Sequence, residues 1–226
     1  MLICASNGNF KSIKMEEKIR SYINIISIKY YDLIKLELNF FKYSILIHGA
    51  KIDDIRLHLT TSGNDTKINQ RRKILADSFI ALEKTTVDAY FLTLANLFED
   101  SKRNKPISVL ALIRIISNNV HLFVEKKDIE SHLNVCKSKI MSLNDLIERI
   151  REHRDKCIAH NDSEVVCNHL INLTTIETRE IMDVVKFTIN SFSPYFNSKK
   201  IEESEIQRMQ NESFHSNYKL IESLEK

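Results

Sequence analysis

Residues 14–48 read KMEEKIRSYINIISIKYYDLIKLELNFFKYSILIH, with neither glycine nor proline. Ile19, Tyr22, Ile23, Ile26, Tyr30, Leu33, Ile34, Phe41 and Ile45 recur mostly at spacings of three and four, the pattern of an amphipathic helix. Gly49 is a natural stop. Ile25 and Ile28 widen the apolar face, so this helix is expected to pack on two sides. Ile23 to Ile28, taken alone, also admits a strand. The composition weighs against sheets: the whole chain of 226 residues holds three glycines and two prolines. A sheet protein of this length needs many tight turns, and these are the residues that make them. The expected fold class is therefore all-α, with a long N-terminal helix.

The rest of the chain reads outward from that helix. Residues 1–13 look irregular. Thr60 to Asn69, with Ser62, Gly63, Asn64 and Asp65 together, is the clearest loop. A second helical pattern follows from about Gln70 to Glu99, with Ile74, Leu75, Phe79, Leu82, Tyr90, Leu94, Leu97 and Phe98 as its stripe. Lys102 to Lys105 forms a polar loop. Ser108 is placed to cap a short apolar helix ending near Asn118, and Asp128 to cap another carrying Ile129, Leu133, Cys136 and Ile140. Capping boxes are expected at Ser142 with Asp145 and at Thr174 with Glu177. The second opens a helix that Pro194 ends. Ile201 to Lys226 reads as a polar helix with a thin stripe at Ile206, Met209, Phe214, Tyr218 and Ile221. The expected organisation is an irregular start (1–13), a helical domain (14–195) and a C-terminal helical tail (196–226).

Charge restricts the function classes. Charged residues make up 28% of the chain and nearly cancel, leaving a formal charge of +3. That excess permits nucleic-acid binding without demanding it, and a duplex-coating protein carries a stronger basic signature. The N-terminus is too polar for a signal peptide, and no uncharged apolar run approaches the ~18 residues of a membrane span. Cys4, Cys136, Cys157 and Cys167 form no CxxC pair, so a reduced, cytoplasmic protein is expected. No glycine-rich phosphate cradle exists, which argues against a nucleotide-driven enzyme.

The segment that carries chemistry is Arg151-Glu152-His153-Arg154-Asp155-Lys156-Cys157-Ile158-Ala159-His160-Asn161-Asp162. On an ideal helix with Ile150 at zero, Leu143 lies near ~20°, Leu146 near ~−40°, Cys157 near ~−20° and Arg154 near ~40°. Arg154 thus occupies the apolar stripe, where it must pair, be buried at high cost, or point into a cleft. His160 falls near ~−80°, on the opposite border, so one regular helix face does not present both. The plain alternative is an Arg154–carboxylate pair within the core and an ordinary histidine at a helix end, where the dipole favours it.

A resemblance extends this reading. Arg154, a polar residue and then His160 resembles the Arg-His signature of the HEPN superfamily. Arg154-Asp155-Lys156 followed by Ala159-His160-Asn161-Asp162 is similar to the version in its AbiU-type abortive-infection branch. Ala89-Tyr90-Phe91-Leu92-Thr93-Leu94-Ala95-Asn96-Leu97-Phe98-Glu99, then Ile107-Ser108-Val109-Leu110, resembles that branch's region ahead of the motif. The resemblance covers roughly Ile74 to Asn190. It implies an antiparallel helical bundle that dimerises and sets the arginine and histidine in a shared interface cleft. It further implies metal-independent RNA cleavage by attack of the ribose 2′-hydroxyl on the adjacent phosphate. In that scheme His160 is general base or acid, Arg154 stabilises the transition-state charge, and Asp155 orients one of them. Lys156, Asn161 and Arg151 are the candidate RNA contacts. Neither metal nor cofactor is expected. The implied partners are RNA, a second copy of the chain, and an antitoxin or other defence-system protein. The alternatives are a non-catalytic HEPN module that binds RNA or protein, and a helical scaffold in which Arg154 is a structural ion pair.

Other residues have plainer readings. Lys156 lies one turn before His160, where a solvated lysine is common. His153 shares a face with His160, but no third ligand makes a metal site. Cys157 reads as a small buried hydrophobe. Arg71-Arg72-Lys73 and Lys102-Arg103 suit an RNA path or a solvated face.

Overall fold

A computed structural model describes residues 4–48, 66–100, 106–159 and 175–224, and every regular element among them is helical. In chain order these are α1 (Cys4–His48), α2 (Thr66–Leu97), α3 (Val109–Asn119), a 3-10 turn (Val120–Leu122), α4 (Lys126–Ser142), α5 (Asn144–His153), a π-helical turn (Arg154–Ala159), α6 (Thr175–Phe192) and α7 (Glu203–Leu224). The chain divides into two compact units, one of Met1–Asp32 with Phe91–Glu202 and the other of Leu33–Tyr90 with Glu203–Lys226.

The first unit takes its core from stripes at helical spacing. Ile19, Ile23, Ile26 and Tyr30 of α1 are buried, as are Ile129, Leu133, Cys136 and Ile140 of α4. Both runs step by four, three and four, which stacks the side chains along one face. Leu94, Leu97 and Phe98, then Leu112 and Ile116, then Leu146 and Ile150, then Ile181, Val185, Ile189 and Phe192 complete the core. Each such side chain contributes roughly 1.5–3 kcal/mol on burial. α4 packs against α3 and α6. Polar clasps fix the register: Arg20 Nε donates to the Phe196 carbonyl at 2.9 Å and Lys29 Nζ to that of Ile107 at 2.7 Å. Partial burial lowers the Lys29 pKa from its ordinary value. After α6, the Asn190 side chain accepts from the Ile201 amide at 2.7 Å and donates to the Ile201 carbonyl at 3.1 Å, closing the turn around Pro194.

In the second unit, Thr85 and Thr86 turn their hydroxyls back to the carbonyls of Ala81 and Leu82 within α2. Arg208 of α7 sits between Glu205 at 2.6 Å and Glu212 at 3.0 Å, one turn before and after it. Ile206 is buried, whereas Phe214, counted in the tail's stripe, is 75% exposed.

Several local expectations are corrected. α1 starts at Cys4 rather than near Lys14, so the irregular start is helical from that residue on. A lone glycine such as Gly8 costs about 1 kcal/mol in a helix and does not stop one. Ile23 to Ile28 is helical, and the strand alternative falls. α2 begins at Thr66, four residues before Gln70. Asp128 lies in the first turn of α4, whose N-cap is Glu125 without a side-chain bond. Ser142 closes α4 instead of opening α5: its hydroxyl donates back to the Lys139 carbonyl at 2.8 Å. Ser108 caps α3 as expected, accepting from the Ala111 amide at 3.1 Å. Gly49, most of the Thr60–Asn69 loop, Lys102 to Lys105 and Thr174 lie outside the described residues.

Candidate active site

Arg154 sits where the backbone changes period. α5 buries Leu146, Ile147 and Ile150 along one side and ends at His153. From Arg154 to Ala159 the chain continues as a π-helical turn, with bonds reaching five residues back instead of four. Such turns are rare, and the change of period means that a 100° count across this segment does not apply. His153, just before the change, is 1% exposed and sets its ring edge-on to Phe91, with centroids 4.7 Å apart. Phe91 is itself buried, so His153 belongs to the core.

The Arg154 side chain is 18% exposed and meets two carboxylates. Nε donates to Asp155 Oδ1 at 2.7 Å, and Nη1 donates to Glu99 Oε2 at 2.6 Å. The hydrogen bond donated to Asp155 first, then burial acting in opposition, then the bond to Glu99 leave the guanidinium pKa above its already high ordinary value. Arg154 is therefore a permanent cation. The two carboxylates differ in setting, since the Glu99 side chain is 29% exposed and that of Asp155 is 56% exposed.

The segment that presents Glu99 is held on three sides. Phe98 is buried, and its carbonyl accepts from Arg151 Nη2. The Glu99 carbonyl accepts from the Ser108 hydroxyl at 2.6 Å, and the Asp100 carboxylate pairs with Arg114 of α3. The end of α2 is thus tied to α5 and to the first turns of α3, with the Glu99 side chain directed at Arg154.

Arg154 and Asp155 are brought together as a bonded pair. Arg151 turns inward to the Phe98 carbonyl and to Glu148. Lys156 is exposed and lies 3.9 Å from Glu152. His160 and Asn161 fall outside the described residues, and the side chain of Cys157 is not among those described. Among the described residues no group of three His, Cys, Asp or Glu is placed to hold a metal ion, and no helix is long and apolar enough to cross a membrane. Cys136 is a buried free thiol whose pKa burial raises.

Sequence reasoning missed Glu99 as a member of this constellation. It lies 55 positions from Arg154, so no local spacing links them. Its signal was a carboxylate directly after Leu97 and Phe98, at the end of an apolar stripe and just before a polar loop.

Neither the curated proteins nor the solved structures contain a match to the chain. The family model of AbiU2, in the HEPN group, matches residues 49–194. That span holds both stretches on which the sequence resemblance rested, together with Glu99, Arg154 and the position of His160. With most of the chain matched and an all-helical structure that places Arg154 at a distorted helix end, the chain belongs to the HEPN AbiU2 family of abortive infection.

Proposed function

We propose that this chain is a metal-independent endoribonuclease of the HEPN type, acting in phage defence or as a toxin. The observation that carries the reading is the Arg154 guanidinium: a permanent cation, largely buried, set at a π-helical turn in a chain of this family. A fixed cation of this kind suits the developing charge of a phosphoryl-transfer transition state. In the proposed reaction the ribose 2′-oxygen attacks the adjacent phosphorus, the P–O5′ bond breaks, and a 2′,3′-cyclic phosphate and a 5′-hydroxyl result. His160 accepts the 2′-hydroxyl proton or donates one to the departing 5′-oxygen, work suited to an imidazole, and water makes the other of these two proton transfers. Before RNA enters, Asp155 orients Arg154 through the Nε contact. Lys156 and Asn161 flank the reacting phosphate, and Arg151 contributes through whichever of its donors RNA reaches. The site is completed at the interface of two copies, and an antitoxin or another defence protein restrains it in the cell.

One observation favours a second reading. Arg154 is already bonded to Glu99 and Asp155, as a structural ion pair would be. Cleavage of a labelled single-stranded RNA in the presence of chelator separates the two. The nuclease reading expects cyclic-phosphate products, lost in both Arg154→Ala and His160→Ala while the helical signal by circular dichroism is kept. RNA bound but not cleaved, with binding unchanged by either substitution, would leave a binding module. Loss of folding in Arg154→Ala with full activity in His160→Ala would leave the structural pair.

A further inference from the structure

An arginine recognises a phosphate or carboxylate best through two parallel N–H bonds along one edge of its planar fork. The guanidinium has two such edges, one formed by Nε and Nη2 and the other by Nη1 and Nη2. Asp155 occupies Nε and Glu99 occupies Nη1, so each edge already holds one carboxylate. Among the described residues only Nη2 carries neither bond. One N–H of Nη1 and both of Nη2 remain, but an entering phosphodiester meets a carboxylate on a nitrogen of each edge, and both carboxylates repel it. Two-point recognition along an edge neither of whose nitrogens holds a carboxylate requires one carboxylate to leave.

The surroundings decide which one. Glu99 belongs to a segment whose neighbouring carbonyls are bonded to Arg151 and Ser108 and whose next residue is paired with Arg114. Its bond to Arg154 is the more sheltered of the two, and breaking a sheltered pair strands a charge at high cost. The Asp155 side chain is 56% exposed, so water can reach the carboxylate that accepts from Nε. Exposed pairs are worth only about 0–1 kcal/mol.

We propose that Glu99 is the fixed anchor of Arg154 and that Asp155 is a displaceable carboxylate, holding the Nε–Nη2 edge until an RNA phosphodiester takes its place. This rests on the reading of Arg154 as a phosphate-contacting residue and adds to it a resting state in which the protein's own carboxylate competes with substrate. Glu99 is then a positioning residue, because it acts through Arg154. Asp155 sets the threshold for RNA entry.

The test is equilibrium binding of a fluorescent 2′-O-methyl single-stranded RNA, which 2′-hydroxyl attack cannot cleave, to the full chain at fixed salt. Asp155→Asn is expected to bind about two- to fivefold more tightly than the parent, the range set by an exposed pair. Glu152→Gln, made in a Lys156→Gln background because Glu152 pairs with Lys156 at 3.9 Å, removes a carboxylate that is similarly exposed and three residues away, and it reports the general effect of one charge on RNA affinity. Its gain is expected to be smaller than that of Asp155→Asn. Glu99→Gln is expected to gain no more than Glu152→Gln, and the gain from Asp155→Asn is expected to fall to that same general level in an Arg154→Ala background. Equal gains from Asp155→Asn and Glu152→Gln, or a gain from Asp155→Asn as large without Arg154 as with it, would overturn the proposal. So would a gain in Glu99→Gln as large as that in Asp155→Asn. If Glu99→Gln fails to fold, the comparison of Asp155→Asn with Glu152→Gln and with the Arg154→Ala background decides alone. Failure of the underlying reading looks different: Arg154→Ala itself then leaves RNA affinity unchanged. If Arg154→Ala weakens binding and the Asp155 pattern is absent, only the displacement falls.

Discussion

Arg154 stands where the repeat of α5 calls for an apolar side chain, and the protein answers the misplaced charge with two carboxylates. Such a pair is held by mutual dependence: each charge alone is stranded, whereas both can be exchanged for apolar groups at little loss. Replacing only Arg154 by Met leaves the Glu99 carboxylate partly buried beside apolar neighbours. The expected loss is up to about 3 kcal/mol in urea denaturation, the lower bound for a fully buried pair, because Glu99 retains some solvent. The double variant Arg154→Met with Glu99→Leu is expected to recover more than half of that loss. If the two single losses simply add in the double variant, the residues are not energetically coupled and the contact has no role in holding the site. The cation itself does not titrate in any working range, since its pKa is raised from a value already far above neutrality. A limb in an activity profile between about pH 5 and 8 therefore belongs to another group, of which the proposed histidine is the natural one.

At the scale of elements, the joint between α2, α3 and α5 is what aims Glu99. Ser108 is its pivot, buried, capping α3 through the Ala111 amide and donating its own hydroxyl proton to the Glu99 carbonyl. Ser108→Ala removes both bonds. A lost N-cap costs about 1 kcal/mol, and the unsatisfied carbonyl adds ~1 kcal/mol or more. A fall in thermal midpoint of several degrees is expected, accompanied by weaker RNA cleavage. A variant with unchanged midpoint would mean that water replaces the hydroxyl. This joint also shows what the sequence made legible. Ser108 was readable because a good capping residue precedes an uninterrupted apolar helix. Ser142 carries the same signal with Asp145 three residues on, yet α4 runs through it and its hydroxyl turns back to Lys139, because burial of Cys136 and Ile140 holds that last turn in the helix. Long breaker-free patterns were legible in kind and blurred at their ends, as α1 and α2 show. In the site, Arg154 announced itself by violating the stripe. Glu99 did not, because its partner comes from another helix and only folding brings the two together. The π-helical turn had no local signature beyond the same misplaced arginine.

For the whole molecule, the proposed dimer doubles every group of the proposed site. Arg154, Glu99 and Asp155 together carry a formal net charge of −1, which falls to zero for Arg154 and Glu99 once Asp155 has moved aside. A second copy facing the first would bring a second Arg154 and a second proposed histidine, and with them a second pair of carboxylates, so a two-chain cleft gains donors and histidines and not net positive charge. The proposed dimer then predicts how activity responds to dilution. Cleavage per chain should stay constant while sedimentation shows dimer, and should fall in proportion to the dimer fraction once dilution produces monomer. Adding an excess of the Arg154→Ala, His160→Ala double variant should lower the activity of a fixed amount of parent protein, because mixed dimers lack one set of groups. Activity per chain that holds steady well into the monomer range, with no effect of the variant, would show that one chain builds the site alone. The single Arg154 with its paired carboxylates would then have to suffice, and release of Asp155 would become the main source of affinity for RNA instead of a threshold added to a two-chain cleft.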